Sequence, residues 1–479
     1  MDFSESLENN IEIMKNILHN NGMIVYRFIE NSFDTSIKAC IIFCDGLAGA
    51  TLLNESIVKP FVKNPMIKDA IDKYSYTKNS VVFSNEVTDG KNTEQCVTAL
   101  FSGDAVMFVE GCSTPMIINV RAPFIRSISE SDNEKTLKGP RDSFGELILQ
   151  NTALLMRRIK NENFRLEKFI IGKDTQTSVI MCYIEDICHK DMIDKVRKGL
   201  KDISINSLTD TNEIAELIKG RTYTPFKTSG SSQRPDVIAN KLLEGRIAIM
   251  IDGSPQVITL PFLFSEYFKS NDDYTINFYF AGISRLIRFL SFFISVYLPA
   301  IYVCALKFHK EILPKNLLFS LSEKRASAPF SVAVEVIIFL IFFEIIREAA
   351  TRTPSAIGQT MSIVGGLILS ETAASANIVS TPSIIVIAIA GITTMILPSM
   401  AGPTTMLRIL FVIISSFLGF YGLCLGTILL ITHLCSIDIL DIAYVNSTIP
   451  LNRYSVSDTL VRFPYKLLDK MKKSLKRKY

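Results

Sequence analysis

The pattern of apolar and polar positions changes character near Gly282. Before this point, short segments of helical and strand periodicity alternate: residues 4–19 have apolar residues at helical spacing, and residues 23–29 and 36–44 are typical of strands. Beyond it, long apolar runs follow one another and end in a basic tail. The pattern predicts a soluble α/β region followed by an α-helical transmembrane domain.

An internal repeat divides the first region. Gly103 to Gly111 and Gly245 to Gly253 each enclose an apolar strand that ends in an acidic residue, and a serine, a proline and a second apolar strand follow. Glycine after the acid supplies the positive φ that a tight turn needs. Two hairpins of one design predict two related α/β subdomains.

The second region contains apolar runs long enough to cross a bilayer, which needs about 20 residues per helix. Four runs are predicted to span: residues 286–306, 332–346, 383–400 and 409–434. A fifth, residues 356–369, is shorter. Because the basic tail favours a cytoplasmic C-terminus and no signal peptide precedes the first region, both ends are expected inside. An even number of crossings follows, so the fifth run is predicted to be a short or re-entrant helix.

One loop conflicts with four spans. Residues 307–328 carry Lys307, Lys310, Lys315, Lys324 and Arg325, and this topology places them outside. Five full spans would remove the conflict but would put one terminus outside. The predicted divisions of the chain are residues 1–135 and 136–282 for the two subdomains, 283–435 for the transmembrane domain and 436–479 for a basic cytoplasmic tail.

Composition narrows the class of protein. The chain has 48% hydrophobic residues, a net charge of +4 and nine cysteines without a CxxC spacing. The odd cysteine number argues against a disulfide framework, and four scattered histidines argue against a zinc site. Walker, GxSxG and HExxH motifs are absent from the sequence. We expect a protein that is not an enzyme, with no cofactor, no metal and no nucleic-acid partner.

Charged residues within the apolar half form the first candidate set, because charge is costly there. They are Glu335, Glu344, Arg347, Glu348, Arg352 and Glu371. On a helix, Glu344 pairs with Arg347, or Glu348 with Arg352. The set is interpreted either as a structural ion-pair network at a helix end or as acids that line a cation route, and the sequence leaves both open.

A polar stripe in the short run forms the second candidate set, a predicted pore or gate. Its members recur every three or four residues: Ser355, Gln359, Ser362, Gly366 and Ser370. Such a stripe lines the pore of an oligomer or packs closely against another helix. Pro354 and Pro382 bracket the region, which is typical of interrupted membrane helices at a gate.

The run that begins at Glu348 resembles a known family. It reads Glu-Ala-Ala-Thr-Arg-Thr-Pro-Ser-Ala-Ile-Gly-Gln-Thr-Met-Ser-Ile-Val-Gly-Gly, and it is similar to the signature of the spore germination GerA family, specifically its A subunit. Glu348, Ala349, Arg352 and Pro354 match that signature. The segments 45–47 and 139–146, and Asp458 with Arg462 and Pro464, extend the resemblance over nearly the whole chain. Ser370-Glu371-Thr372 departs from it, being more polar than the family's pattern.

The resemblance implies a subunit of a spore germinant receptor in the inner membrane of the spore. Its partners would be a transporter-like B subunit, which holds the nutrient, and a lipoprotein C subunit. A subunits would oligomerise into a gated ion channel that germinant opens. Two alternatives remain: an AF-type stage V sporulation paralogue that amplifies germination, and a non-conducting scaffold for the receptor complex.

Overall fold

The structure, a computed structural model, describes residues 3–19, 21–64, 73–121, 134, 139–219, 223–325, 328–353, 371–376, 378–445 and 462–464. An α/β region precedes a helical region, as the hydrophobic pattern predicts. The predicted pore stripe, Ser355, Gln359, Ser362, Gly366 and Ser370, lies outside the described residues.

The α/β region consists of two repeats with the same order of elements. The first contains α1 (Leu7–Ile17), β1 (Ile24–Glu30), β2 (Lys38–Cys44), α2 (Ala50–Leu53) continued by α3 (Lys59–Lys63), α4 (Lys73–Tyr76), β3 (Val87–Asp89), α5 (Thr93–Leu100), β4 (Ala105–Val109) and β5 (Met116–Ile118). The second contains α6 (Ile148–Arg158), β6 (Phe164–Ile171), β7 (Thr177–Ile184), α7 (Lys190–Asp202), α8 (Thr211–Lys219), β8 (Gly230–Ser232), α9 (Pro235–Leu243), β9 (Ile247–Ile251) and β10 (Val257–Leu260).

The two sheets have equivalent topology. Their strand orders are β1-β2-β4-β5-β3 and β6-β7-β9-β10-β8, and neighbouring strands are antiparallel. Every residue of β4 and β9 is buried, which fits strands covered on both faces. One core forms where α1, α5, α6 and α9 pack between the sheets, and separate cores lie on the outer faces. The prediction of two related subdomains is confirmed.

The repeated acid–glycine turn has a structural role. Glu110 accepts the backbone N–H of Leu7 at 3.1 Å, and Asp252 accepts that of Ile148 at 3.1 Å. Each acid therefore caps the N-terminus of the first helix in its own subdomain, where free N–H groups and the helix dipole favour an anion. The acidic residue of each repeated turn is thus a helix cap that lies far along the chain from the helix it caps.

A buried ionic cluster joins the second subdomain to the chain that leads into the helical region. Glu266, in a 3₁₀ turn (Phe264–Phe268), contacts Lys241 and Arg246 and accepts the N–H of Leu263 at 2.7 Å. Burial would raise the pKa of Glu266, but the two cations outweigh it and lower the pKa to about 2. We call Lys241, Arg246 and Glu266 the Glu266 cluster.

Five α-helices of the helical region have both of their ends within the described residues. They are α10 (Phe278–Lys307), α11 (Lys315–Arg325), α12 (Val332–Arg352), α13 (Thr381–Met395) and α14 (Ala401–Ser436). Two stretches, Phe278–Lys307 and Pro398–Ser436, are long and apolar enough to cross a membrane, and Thr381–Met395 is a shorter apolar helix. The expectation of four spans stays a prediction.

Helix α14 folds back as a hairpin, so residues 409–434, which were predicted to form one span, do not form one straight helix. Gly419 has φ 60° and ψ −141°, outside the helical region. The ring of Tyr297 packs on that of Phe411, with 4.9 Å between the ring centroids. Thr427 donates a hydrogen bond of 3.2 Å to the hydroxyl of the same Tyr297. On a straight helix, residues 411 and 427 would lie about 24 Å apart. The halves 401–418 and 420–436 are therefore antiparallel.

Glycine allows the two halves of α14 to approach closely. A Cβ atom added to Gly422 would lie 2.8 Å from the carbonyl oxygen of Ile414, and one added to Gly426 would lie 3.0 Å from the ring of Phe411. The positive φ at Gly419 also disfavours any other residue. Three glycines, spaced three and four residues apart, thus make the turn and the contact between the halves.

Contacts between helices establish their directions. Ser380, at the start of α13, meets Glu335 near the start of α12, and Gly391 lies against the ring of Phe343, so these two helices are parallel. Tyr302 contacts Ser383 at 3.1 Å, whereas the earlier Ser295 contacts the later Thr394 at 2.6 Å, so α10 and α13 are antiparallel.

The C-terminal end of the helical region contacts the α/β region. His433, near the end of α14, lies 3.0 Å from the hydroxyl of Thr224. A short hairpin of β11 (Asp438–Ile439) and β12 (Ile442–Ala443) follows, and Tyr444 donates to the carbonyl of Lys227 at 2.9 Å. The predicted tail over residues 436–479 therefore begins with a segment that is packed on the second subdomain.

Candidate functional site in the helical domain

Two buried polar clusters lie among the apolar helices. The Glu335 cluster contains Tyr302, Arg325, Glu335, Ser380 and Ser383. The Arg408 cluster contains Ser295, Glu344, Arg347, Thr394, Thr405 and Arg408. Because isolated charge is strongly disfavoured in such surroundings, each cluster is a candidate functional site.

Glu335 caps the N-terminus of α13. Its carboxylate accepts the backbone N–H of Ser380 and, at 2.5 Å, the hydroxyl of the same residue. The side chain of Glu335 is 0% exposed, and Nε of Arg325 lies 3.6 Å from its second oxygen, Oε2. Neither of these two atoms has a hydrogen-bond partner. The cluster therefore joins α10, α12 and α13 while it leaves one carboxylate oxygen without a hydrogen bond.

Arg408 is the eighth residue of α14 and belongs to its first half. Its Nη2 lies 3.5 Å from Oε1 of Glu344 and donates to the hydroxyls of Thr394 and Thr405 at 3.2 and 3.4 Å. Thr405 in turn donates to Glu344 at 2.8 Å, and Arg347 pairs with the same carboxylate at 2.6 Å. One carboxylate thus lies between two guanidinium groups.

The donors of this cluster exceed its acceptors. Arg408 is 1% exposed, yet its Nε and Nη1 have no hydrogen-bond partner, and neither has Nη1 of Arg347. Buried N–H groups are rarely left unpaired in proteins, and those of charged groups are the most costly.

Arg408 was not among the residues predicted from the sequence. The available signal was its isolation, since it is the one Asp, Glu, Lys or Arg residue between Glu371 and Asp438. Arg325 was noted only for its effect on topology. Ser380, Thr394 and Thr405 carried no signal, because single hydroxyl residues are common in membrane helices.

The six charged residues predicted as one network are separated in the structure. Glu335 and Glu344 belong to different clusters. Glu348 and Arg352 pair at 2.7 Å, but their side chains are 60% and 78% exposed. Glu371 is exposed and belongs to neither cluster. The spacing therefore predicted the local pairs correctly and did not predict which elements each charge meets.

A third polar cluster marks the point where the chain enters α10. Asp273 is 0% exposed and pairs with Arg285 at 2.8 Å and Arg288 at 2.7 Å. Burial would raise the pKa of Asp273, but hydrogen bonds from Arg288 and Arg285 outweigh it and lower the pKa. Arg462 reaches the same place, where it lies over the ring of Tyr274 and donates to the carbonyl of Ile276 at 2.7 Å.

Comparison with known proteins identifies the family. The sequence model of the family described as Bacillus/Clostridium GerA spore germination protein matches residues 12–474. The chain belongs to the GerA family. Among curated relatives, spore germination protein KA of Bacillus subtilis is 34% identical over 464 residues, which cover 96% of this chain and 85% of that protein.

Two further relatives match over at least 90% of their own length. Spore germination protein B1 of Bacillus subtilis is 30% identical over 97% of this chain and 96% of that protein. The uncharacterized membrane protein YfkQ of the same organism is 33% identical over 96% of this chain and 90% of that protein. The crystal structure of the N-terminal domain of the A subunit of the Bacillus megaterium spore germinant receptor GerK3 is 27% identical over 55% of this chain and 98% of that domain, with a TM-score of 0.41.

Proposed function

We propose that this chain is the membrane-embedded A subunit of a spore germinant receptor and that it helps to trigger germination in response to nutrients. The observation that carries the proposal is the family match over residues 12–474, together with relatives named spore germination proteins that align over 96–97% of the chain. A transporter-like B subunit and a lipoprotein C subunit are the partners that the resemblance implies, and the inner spore membrane is the implied location.

Deletion of the gene tests this role. Spores without a receptor subunit lose the response to one class of nutrient, which is measured as the fall in optical density after nutrient is added. An AF-type amplifier would instead slow the response to all nutrients. Unchanged germination with every nutrient would contradict both functions.

We further propose six membrane crossings instead of four, with the α/β region and the tail on the cytoplasmic side. This proposal is supported by the antiparallel halves of α14, which make two crossings of one apolar run. It is also supported by the parallel directions of α12 and α13, because two parallel helices that both cross a membrane require an odd number of crossings between them. With α10, α12, α13 and one such crossing, the proposed number is six, which is even.

Cysteine labelling distinguishes the topologies. Single cysteines at exposed positions in the turn of α14, such as Tyr421→Cys, would react with a membrane-impermeant maleimide added outside, in a background without Cys424 and Cys435. Leu243→Cys in the α/β region is the control for the cytoplasmic side. Labelling of both positions from the same side would contradict an even number of crossings with α14 as a hairpin.

We also propose that several copies of the helical domain form a gated ion channel. The support is the polar stripe Ser355, Gln359, Ser362, Gly366 and Ser370, which follows α12 in the sequence, and the charged groups on α12 itself. The stripe would line the pore, and the Glu335 and Arg408 clusters would hold the neighbouring helices.

Conductance measurements test the channel. In vesicles that contain the receptor subunits, the double variant Ser362→Phe and Gly366→Leu would reduce nutrient-triggered cation release at least tenfold. Ile363→Phe, off the stripe, is the matched control and would keep most of the release. Unchanged release in the double variant, with partner binding retained, would favour the non-conducting scaffold.

A further inference from the structure

The Arg408 cluster carries an excess of positive charge. Glu344 contributes −1, and Arg347 and Arg408 contribute +1 each, so the sum is +1. Arginine does not lose its proton in proteins. An uncompensated charge in a buried site is strongly disfavoured unless a counter-charge or several hydrogen bonds accompany it.

The Arg408 cluster lies where α10, α12, α13 and α14 meet. Thr394, which accepts from Arg408, contacts Ser295. Ser295 lies 17 residues after the start of α10 and 12 before its end, about 26 and 18 Å along the helix. Along α10 the cluster thus lies well inside the helix, whereas Thr394 is the penultimate residue of α13 and Arg408 is the eighth residue of α14, so on those two helices the cluster lies within about two turns of an end.

Among the described residues, the two carboxylates that follow Glu344 on α12 and beyond it lie outside the cluster. Glu348, one turn later on α12, is paired with Arg352 on an exposed face, and Glu371 is exposed. The sequence of residues 354–370 contains no aspartate or glutamate. Nε and Nη1 of Arg408 and Nη1 of Arg347 thus remain as unpaired, charged N–H donors around one carboxylate.

We propose that Arg347 and Arg408 hold a small inorganic monoanion, such as chloride, within the helical domain. A monoanion matches the single excess charge, and the unpaired N–H groups of the two guanidiniums supply its hydrogen bonds. Its small size follows from the enclosure of Arg408, which is 1% exposed. The bound anion would link α12 to the first half of α14, and this inference does not depend on the channel.

Thermal unfolding of the full chain in phosphatidylcholine nanodiscs tests the site. Chloride is raised from about 1 to 100 mM at constant ionic strength, with gluconate as the replacing anion. The wild type is expected to gain about 2–4 °C in Tm with saturation, because a ligand of the folded state stabilises by mass action. A Tm that is independent of chloride would overturn the proposal.

Variants separate anion binding from a structural role. Arg408→Gln and Arg347→Gln remove the excess charge, so the gain in Tm with chloride would disappear. Glu344→Gln raises the sum to +2, so half of the gain would be reached at a chloride concentration several-fold lower. If Glu344→Gln abolished the gain as the arginine variants do, the residues would form only an ion pair. Should Arg408→Gln fail to fold, Arg347→Gln and Glu344→Gln decide the question.

Two controls complete the experiment. Arg352→Gln, on the same helix but in the exposed pair, would keep the wild-type gain in Tm, and an equal loss there would show general screening instead of a site. Bromide would replace chloride, whereas acetate would not if the site is halide-sized. A gain with acetate equal to that with chloride would overturn the assignment to a small inorganic anion.

Discussion

The α/β region and the helical region differ in how completely their buried polar groups are hydrogen-bonded. In the described residues of the two subdomains, every buried side-chain nitrogen and oxygen has a hydrogen-bond partner. In the helical region and the tail, partners are missing on Arg325, Glu335, Arg347, Arg408 and Arg462. Both regions contain buried charged side chains, but only in the α/β region do all of their buried polar atoms find hydrogen-bond partners within the chain.

The Glu266 and Glu335 clusters show this difference between two buried carboxylates. Glu266 meets two cations and a backbone N–H. Glu335 meets one serine at one oxygen, and its other oxygen lies 3.6 Å from Arg325 without a hydrogen bond. A fully connected cluster stabilises one conformation, whereas a partly connected one remains available to an ion, water or another subunit. The helical region is thus where a ligand or partner would act.

The largest expected effect comes from breaking the connected cluster. Glu266→Gln would leave Lys241 and Arg246 without their buried counter-charge and lower the free energy of unfolding by about 3–5 kcal/mol. Glu244→Gln, which removes a more exposed partner of Arg246, is the control and would change it by less than about 1 kcal/mol. Thermal or denaturant unfolding of the full chain measures both. Equal effects would show that burial of the cluster is unimportant.

The pH dependence of stability tests the contribution of the Glu266 carboxylate. Its pKa is lowered in the folded state from the ordinary 4.5 to about 2. Its contribution is therefore present above pH 4.5 and is lost as the pH falls toward 2, by about 3 kcal/mol in total. Unfolding measured between pH 6 and pH 2 would show this loss in the wild type and not in Glu266→Gln. Parallel curves for the two proteins would contradict the assignment.

A smaller effect is expected at the partly connected carboxylate. Glu335→Gln keeps an acceptor for Ser380 but gives up its charge at the N-terminus of α13, so the expected loss is about 1–2 kcal/mol. It should be clearly smaller than the loss in Glu266→Gln. Unfolding of both variants under one condition makes the comparison. A larger loss at Glu335 would mean that its unpaired oxygen has a strong partner in the membrane.

The smallest effects test the equivalence of the two subdomains. Asn10 accepts the N–H of Ser4 at 2.8 Å and donates to its carbonyl at 2.6 Å, and Asn151 does the same with Gly145 at 2.9 and 2.7 Å. Asn10→Ala and Asn151→Ala should each lower the free energy of unfolding by about 1–2 kcal/mol. Values that differ by more than about 1 kcal/mol would show that the repeats are no longer equivalent in energy.

Much of the fold was predictable, because it depends on local periodicity. The order of a soluble α/β region and an apolar helical region, the repeated hairpins and the ion pairs at three- and four-residue spacing all follow from residues close in sequence. The helix caps formed by Glu110 and Asp252 were not predictable, because each acid lies more than a hundred residues from the helix it caps. The acid–glycine repeat can be recognised in the sequence, but its role as a helix cap cannot.

The candidate site was predictable only in part. Hydropathy identified the charges of α12, and isolation in an apolar run would have identified Arg408, but neither property states which helices face each other. The hairpin in α14 was missed because an apolar run of that length fits one tilted span as well as two short ones, and only the glycines at positions 419, 422 and 426 distinguish them.

By itself, the sequence determined the class of this protein: a GerA-family chain with a repeated α/β region and a charged, apolar helical region. Periodicity, composition and a long signature motif carry that information, because each is a property of neighbouring residues. The tertiary structure alone decided that α14 turns back, that α12 and α13 run in the same direction, and that two arginines share one carboxylate. Those features depend on contacts between distant helices, and a hydrophobic surface does not specify which partner covers it.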